Sequence, residues 1–150
     1  MFTDARGYQN GVNMAEDAIK RAEEIGAPEG VAIFANIEPI YPVDADFMMG
    51  WVETLSPSPY EAAIYGDFSE GHDVRAAFDQ AVEVNPSILD VAIIWTHQPQ
   101  KGITTRENAP EFNPGTPEEA RALMWQYGID AETCNIDTNL FKRKLLDYLW

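Results

Sequence analysis

Val31-Ala32-Ile33-Phe34-Ala35-Asn36-Ile37-Glu38-Pro39 is the stretch on which the fold turns. Its first five residues are all apolar. A short, continuous apolar run of this kind suits a strand buried on both faces, as in a parallel sheet. The run then delivers an amide at Asn36 and a carboxylate at Glu38. Side chains alternate along a strand, so these two are expected on the same side. Pro39 ends the strand. Parallel α/β folds gather their chemistry at this position, just beyond the carboxyl end of a buried strand. The plainer reading makes Glu38 only the first solvated residue after a core strand.

Outward from this stretch, helices and strands alternate. Upstream, residues 1–13 are polar and glycine-rich and read as a loop or frayed arm. Asn13 and Glu16 then resemble a capping box for a helix that ends at Gly26 and Pro28. Downstream, Asp44 caps a helix whose Met48, Trp51, Val52 and Leu55 fall at i, i+3, i+4 and i+7. Ala62–Gly66 reads as a second strand. His72 opens a third helix, with Val74, Phe78 and Val82 facing inward. Asp90–Trp95 reads as a third strand. A long irregular stretch, 96–116, carries three prolines and two glycines, and loops of this length are commonly functional or mobile. Thr116-Pro117-Glu118-Glu119 suggests a short helical turn. Arg121–Tyr127 and Thr133–Asp137 read as strands four and five. Thr138 or Asn139 would cap a final helix with Phe141, Leu145 and Leu149 buried.

This alternation predicts an α/β fold with a parallel (β/α) repeat. The 150 residues suit one domain with a substantial core. A complete eight-stranded barrel takes about 250 residues. The expectation is therefore a partial TIM-barrel-like sheet of about five strands, the N-terminal barrel strands being absent. Such a sheet has an open edge, for which a homodimer or a missing N-terminal barrel half is the expected cover. A right-handed crossover needs a strand on each side of its helix. The first helix has none before it, so the chain reads as the second part of a longer pattern.

The formal charge of −15 and the sequence pI near 4.2 leave nothing to neutralise phosphates, which argues against nucleic acid and anionic membrane surfaces. Cys134 is the single cysteine, so neither an internal disulfide nor a cysteine-based metal site is expected. His97 is a lone histidine with no ligand spaced near it, and His72 reads as a surface residue. No metal and no cofactor are expected. No phosphate loop or nucleophile elbow follows any strand. No signal peptide is evident near Met1 and no apolar run reaches membrane-spanning length, so neither export nor membrane insertion is predicted from this stretch.

The strand ends are Asn36-Ile37-Glu38, Tyr65-Gly66-Asp67, Trp95-Thr96-His97-Gln98, Trp125-Gln126-Tyr127 and Asp137-Thr138-Asn139. In a parallel sheet they converge on one edge. Aromatic rings beside carboxylates and amides suit sugars, whose apolar faces stack and whose hydroxyls hydrogen-bond. Paired carboxylates flanking a glycosidic bond would supply the acid and its partner. Each aromatic residue also has an ordinary reading as a core cap, and Asp137 one as a helix cap.

The Asn36-Ile37-Glu38 strand end, Ala63-Ile64-Tyr65-Gly66, Trp125-Gln126-Tyr127 and Asn135-Ile136-Asp137-Thr138-Asn139-Leu140-Phe141 together resemble the glycoside hydrolase-like domain often called DUF1906. That family is related to the family 25 lysozymes, or muramidases. The helix ending in Gly26-Ala27-Pro28 also fits it, and the resemblance spans about Gly7 to Phe141. It implies a (β/α) barrel acting on glycans of the bacterial cell wall, peptidoglycan above all, in a secreted or wall-associated setting. It gives Glu38 the place of the general acid and Asp137 that of the aspartate on the last strand. Asn36 stands where the lysozymes carry an aspartate, and would orient an acetamido group. Tyr65, Asp67, Trp95, Trp125, Gln126, Tyr127 and Asn139 would line the sugar site. Two functions follow from the resemblance: hydrolysis of β-linked amino sugars, or glycan binding and assembly by a non-catalytic relative.

Overall fold

The computed structural model describes residues 4–100, 105–130 and 136–150. One five-stranded sheet organises them, in the order β1 (Ala32–Asn36), β2 (Glu61–Gly66), β3 (Ile93–His97), β4 (Ala122–Gly128), β5 (Thr138–Phe141). The first four strands are parallel, and β5 runs antiparallel to β4. The helices are α1 (Tyr8–Glu24), α2 (Ala45–Leu55), α3 (Asp73–Val84) and the single turn α4 (Ile88–Val91). This is the expected α/β architecture, a partial (β/α)-barrel-like fold.

Alternation along the strands divides the core in two. Ala35, Ile37, Ile64, Ile94 and Ala122 face the helices and join Phe47, Leu55 and Phe78 in the main cluster. Ala63, Ile93 and Leu123 form a smaller cluster with Leu145, against which Phe34 and Tyr148 pack. The helix-free face is therefore covered at its base by a 3-10 helix, Arg143–Tyr148.

Several expectations are corrected. β1 is the edge strand of the sheet and is half-buried over Ala32–Phe34, because no described strand pairs with its outer side. The polar start is not a frayed arm. Gly7 takes a positive φ of 85°, and its amide donates to both carboxylate oxygens of Asp44 at 3.0 Å. Ala5 forms a parallel bridge with Val43. α1 accordingly starts at Tyr8, five residues before the expected cap at Asn13. Asp44 also accepts from the Phe47 amide at 2.8 Å and caps α2 as expected. One carboxylate thus anchors two helix starts.

α1 and α2 cross at glycines. A Cβ at Gly50 would stand 2.2 Å from the Tyr8 carbonyl oxygen, and one at Gly11 would stand 2.3 Å from that of Phe47.

At the carboxyl end, Thr133–Asn135 of the expected fifth strand lie outside the described residues, as does Cys134. The strand that pairs is Thr138–Phe141, so Thr138 and Asn139 are ladder residues and not caps. Of the expected final stripe only Leu145 is buried, and Phe141 and Leu149 are about half exposed.

Candidate functional site at the upper edge of the sheet

The carboxyl ends of β1–β4 form the upper edge. Asp137 reaches it by another route: β5 is antiparallel, so its first residues, not its last, lie beside the end of β4. Gln126 pairs with Asn139, and Gly128 with Thr138.

Tyr65 is the hub of this edge. It is buried, and its hydroxyl donates to Gln126 Oε1 at 2.9 Å. Its ring meets Trp95 edge-on at 4.7 Å and His97 at 6.1 Å. Burial first, then the charges of Glu38, Asp137 and Asp67, hold its phenol well above the ordinary tyrosine range. The hydroxyl is therefore a permanent donor at neutral pH.

Trp95 donates from Nε1 to Asn139 Oδ1 at 3.0 Å. An indole N–H only donates, so the Asn139 oxygen must face it and the NH2 group must turn away. The Asn139 amide is thereby presented as a donor beside Asp137. Phe34 completes the aromatic wall, 5.7 Å from Trp95.

Asp67 is held from three directions. The Ser69 amide donates to its Oδ1 at 2.9 Å, the Ser69 hydroxyl donates to the same oxygen, and His72 Nδ1 meets Oδ2 at 3.1 Å. Glu38, Asp67 and His72 share a cavity of about 260 Å³ with Tyr41 and Asp73.

The expected residues thus divide. Glu38, Tyr65, Asp67, Trp95, Gln126, Asp137 and Asn139 come together. Asn36 is exposed and pairs in register with Tyr65; it lines an apolar groove of about 410 Å³ with Ile33, Phe47 and Trp51, which adjoins the Glu38 cavity at Tyr41. β1 ends at Asn36, so the same-side argument stops there. Trp125 and Tyr127 are fully buried on the opposite face of β4. Trp125 pairs in register with buried Thr96 and donates to the Gln98 carbonyl at 2.9 Å, while Phe112 covers its ring. Tyr127 donates to the Thr105 carbonyl. The long stretch after β3 explains this: its described part packs on β4 where other units place a helix.

Two histidines were missed. His97 lies two residues beyond Trp95, hence on the same face, and its buried Nδ1 has no hydrogen-bond partner. Period-two spacing from Trp95 was a usable signal. His72 is partnered by Asp67 although its side chain is 54% exposed. Nothing in the sequence marked that pair beyond a glycine turn at Gly71.

Residues 3–141 match the family model described as the Rv2525c-like, glycoside hydrolase-like domain. The chain belongs to this family. The assignment supports a glycan-related role for the glycoside hydrolase-like domain and agrees with the resemblance read from its strand ends. The 1.07 Å crystal structure of an uncharacterized B. stearothermophilus protein is similar throughout. It shares 41% identity at a TM-score of 0.91, over 99% of this chain and 70% of that one. Comparison with curated proteins finds no match.

Proposed function

We propose that the upper edge binds an amino-sugar glycan of the peptidoglycan type and that Glu38 is its general acid. One observation carries this reading: Glu38 and Asp67 line one cavity at the upper edge, beside the strand ends where buried Tyr65 meets the half-buried ring of Trp95. A sugar ring stacked on Trp95 and Phe34 would bring its hydroxyls to the amides of Gln126 and Asn139. Glu38 would protonate the leaving oxygen while Asp137 stabilises positive charge at the anomeric carbon. Turnover of peptidoglycan fragments and chitin-type oligosaccharides by the wild type and Glu38→Gln tests this. The expected loss is ~10²-fold or more, the usual contribution of a general acid. Equal rates in the two proteins would sink the role of Glu38.

The second reading is a non-catalytic glycan-binding module. It is favoured by Asn36, an amide that can serve as neither base nor nucleophile. Quenching of Trp fluorescence by the same sugars, without turnover, is its signature.

A further inference from the structure

Asn36 is an amide, so the end of β1 offers the proposed site no carboxylate besides Glu38 to assist an acid. Asp67 shares the cavity, but both of its oxygens are engaged: Oδ1 by the Ser69 amide and hydroxyl, Oδ2 by His72. Asp67 is thereby committed to Ser69 and His72. The imidazole it holds is in the opposite situation. The contact is an ion-pair approach at 3.1 Å; a carboxylate only accepts, so a neutral His72 that engages Asp67 carries its proton on Nδ1. In the neutral ring the lone pair is then on Nε2, which has no partner among the described residues. His72 sits at the N-cap position of α3, yet its side chain makes no cap bond to the helix. The ring is turned to Asp67 instead. Gly71, at a φ of 87°, supplies the turn that permits this.

We infer that Asp67 and His72 form a dyad in which His72 Nε2 is the proton acceptor opposite Glu38, with Asp67 as its positioning residue. This rests on the glycan reading of the site. In the step it implies, a water gives one proton to His72 Nε2 and its oxygen bonds to the anomeric carbon. The glycosidic C–O bond breaks, its electron pair stays on the leaving oxygen, and that oxygen takes the proton of Glu38. Transfer through solvent from His72 to Glu38 restores both groups, so that only water is consumed. The other ionisable groups lining this cavity are Asp73 and the Tyr41 phenol, with Glu70 next to the turn in sequence. Arg75 on α3 is engaged by Asp79 and the Phe68 carbonyl.

The tautomer of His72 tests the dyad without any substrate. Only two histidines are present, so His72→Gln assigns the ring signals in a long-range 1H–15N spectrum. The neutral ring is expected as the Nδ1–H form, and Asp67→Asn is expected to release it to a mixture. An Nε2–H ring in the wild type would overturn the proposal. Titration with chitin-type oligosaccharides supplies the second arm. The His72 Nε2 signal is expected to move along with the Trp fluorescence, and fluorescence that responds while His72 does not would refute the inference but leave the glycan reading intact. Where turnover is measured, His72→Gln should lower kcat by ~10²-fold with KM little changed. An unchanged kcat would exclude His72 as the base, whereas loss through Glu38→Gln alone would still support the acid.

Discussion

Removing the Tyr65 hydroxyl with Tyr65→Phe probes the centre of the site, and its cost depends on pH in a way that can be worked out. The hydroxyl donates to Gln126 Oε1 at 2.9 Å, and Gln126 is only 5% exposed. The variant therefore loses one buried hydrogen bond and strands an acceptor, a cost of about 1–3 kcal/mol at pH 7. For a domain of this size that lowers Tm by about 2–4 °C per kcal/mol. In the folded protein the phenol is pushed up, chiefly by burial and then by Glu38, Asp137 and Asp67. The unfolded chain ionises it at about pH 10. Between that value and the folded one the native state holds a proton that the unfolded state has lost, so stability falls as pH rises. The contribution is complete below pH ~10, and ~1.4 kcal/mol of it is gone by pH 11. Phenylalanine has no such ionisation. The gap between wild type and variant, from urea unfolding at pH 7 and pH 11, should narrow by about that amount. A gap of equal size at both pH values would refute the account of Tyr65 as a buried, carboxylate-surrounded phenol.

Two further substitutions probe how the scaffold holds this edge. Asp44→Ala removes the acceptor for the Gly7 and Phe47 amides together and should cost about 1–2 kcal/mol in urea unfolding, with Asp44→Asn in between. Gly50→Ala sets a gain in helix propensity of about 1 kcal/mol against a backbone clash at 2.2 Å that no rotamer change relieves. The clash should prevail and the midpoint fall; an unchanged or raised midpoint would contradict the close crossing of α1 and α2. Adding Gly11→Ala to Gly50→Ala should cost less than the sum of the two, since both push the same helices apart.

Much of the fold was legible because apolar runs and breakers carry it. The runs at residues 31–35, 62–66 and 91–95 sit within a few residues of β1, β2 and β3, and the Met48, Trp51, Val52, Leu55 stripe became the buried face of α2. The start of α1 was hidden because its anchor, Asp44, lies 37 residues away. β5 was misplaced because Ile136-Asp137 resembles a strand end, whereas pairing with β4 decides where the ladder forms. At the site, alternation brought Trp95, His97 and Gln126 to one face, and the same rule put Trp125 and Tyr127 on the other. That consequence was missed because an aromatic residue at a strand end looks alike from either face. The Asp67–His72 pair depends on a turn geometry that residue order alone does not express.

The reversal of β5 also bears on how the rim can vary. A parallel neighbour must return through a connection that crosses the whole height of the sheet, and changing its length disturbs the layer beneath. The segment between Gly128 and Thr138 starts and finishes at the same upper edge, so its length can change without moving the register of the four parallel strands. Closing that pairing also takes a shorter loop than any of the crossovers, at lower entropic cost. The wall that carries Asp137 and Asn139 is therefore the part of the edge most free to diverge between relatives, while Tyr65 and its neighbours on β2 and β3 stay tied to the core.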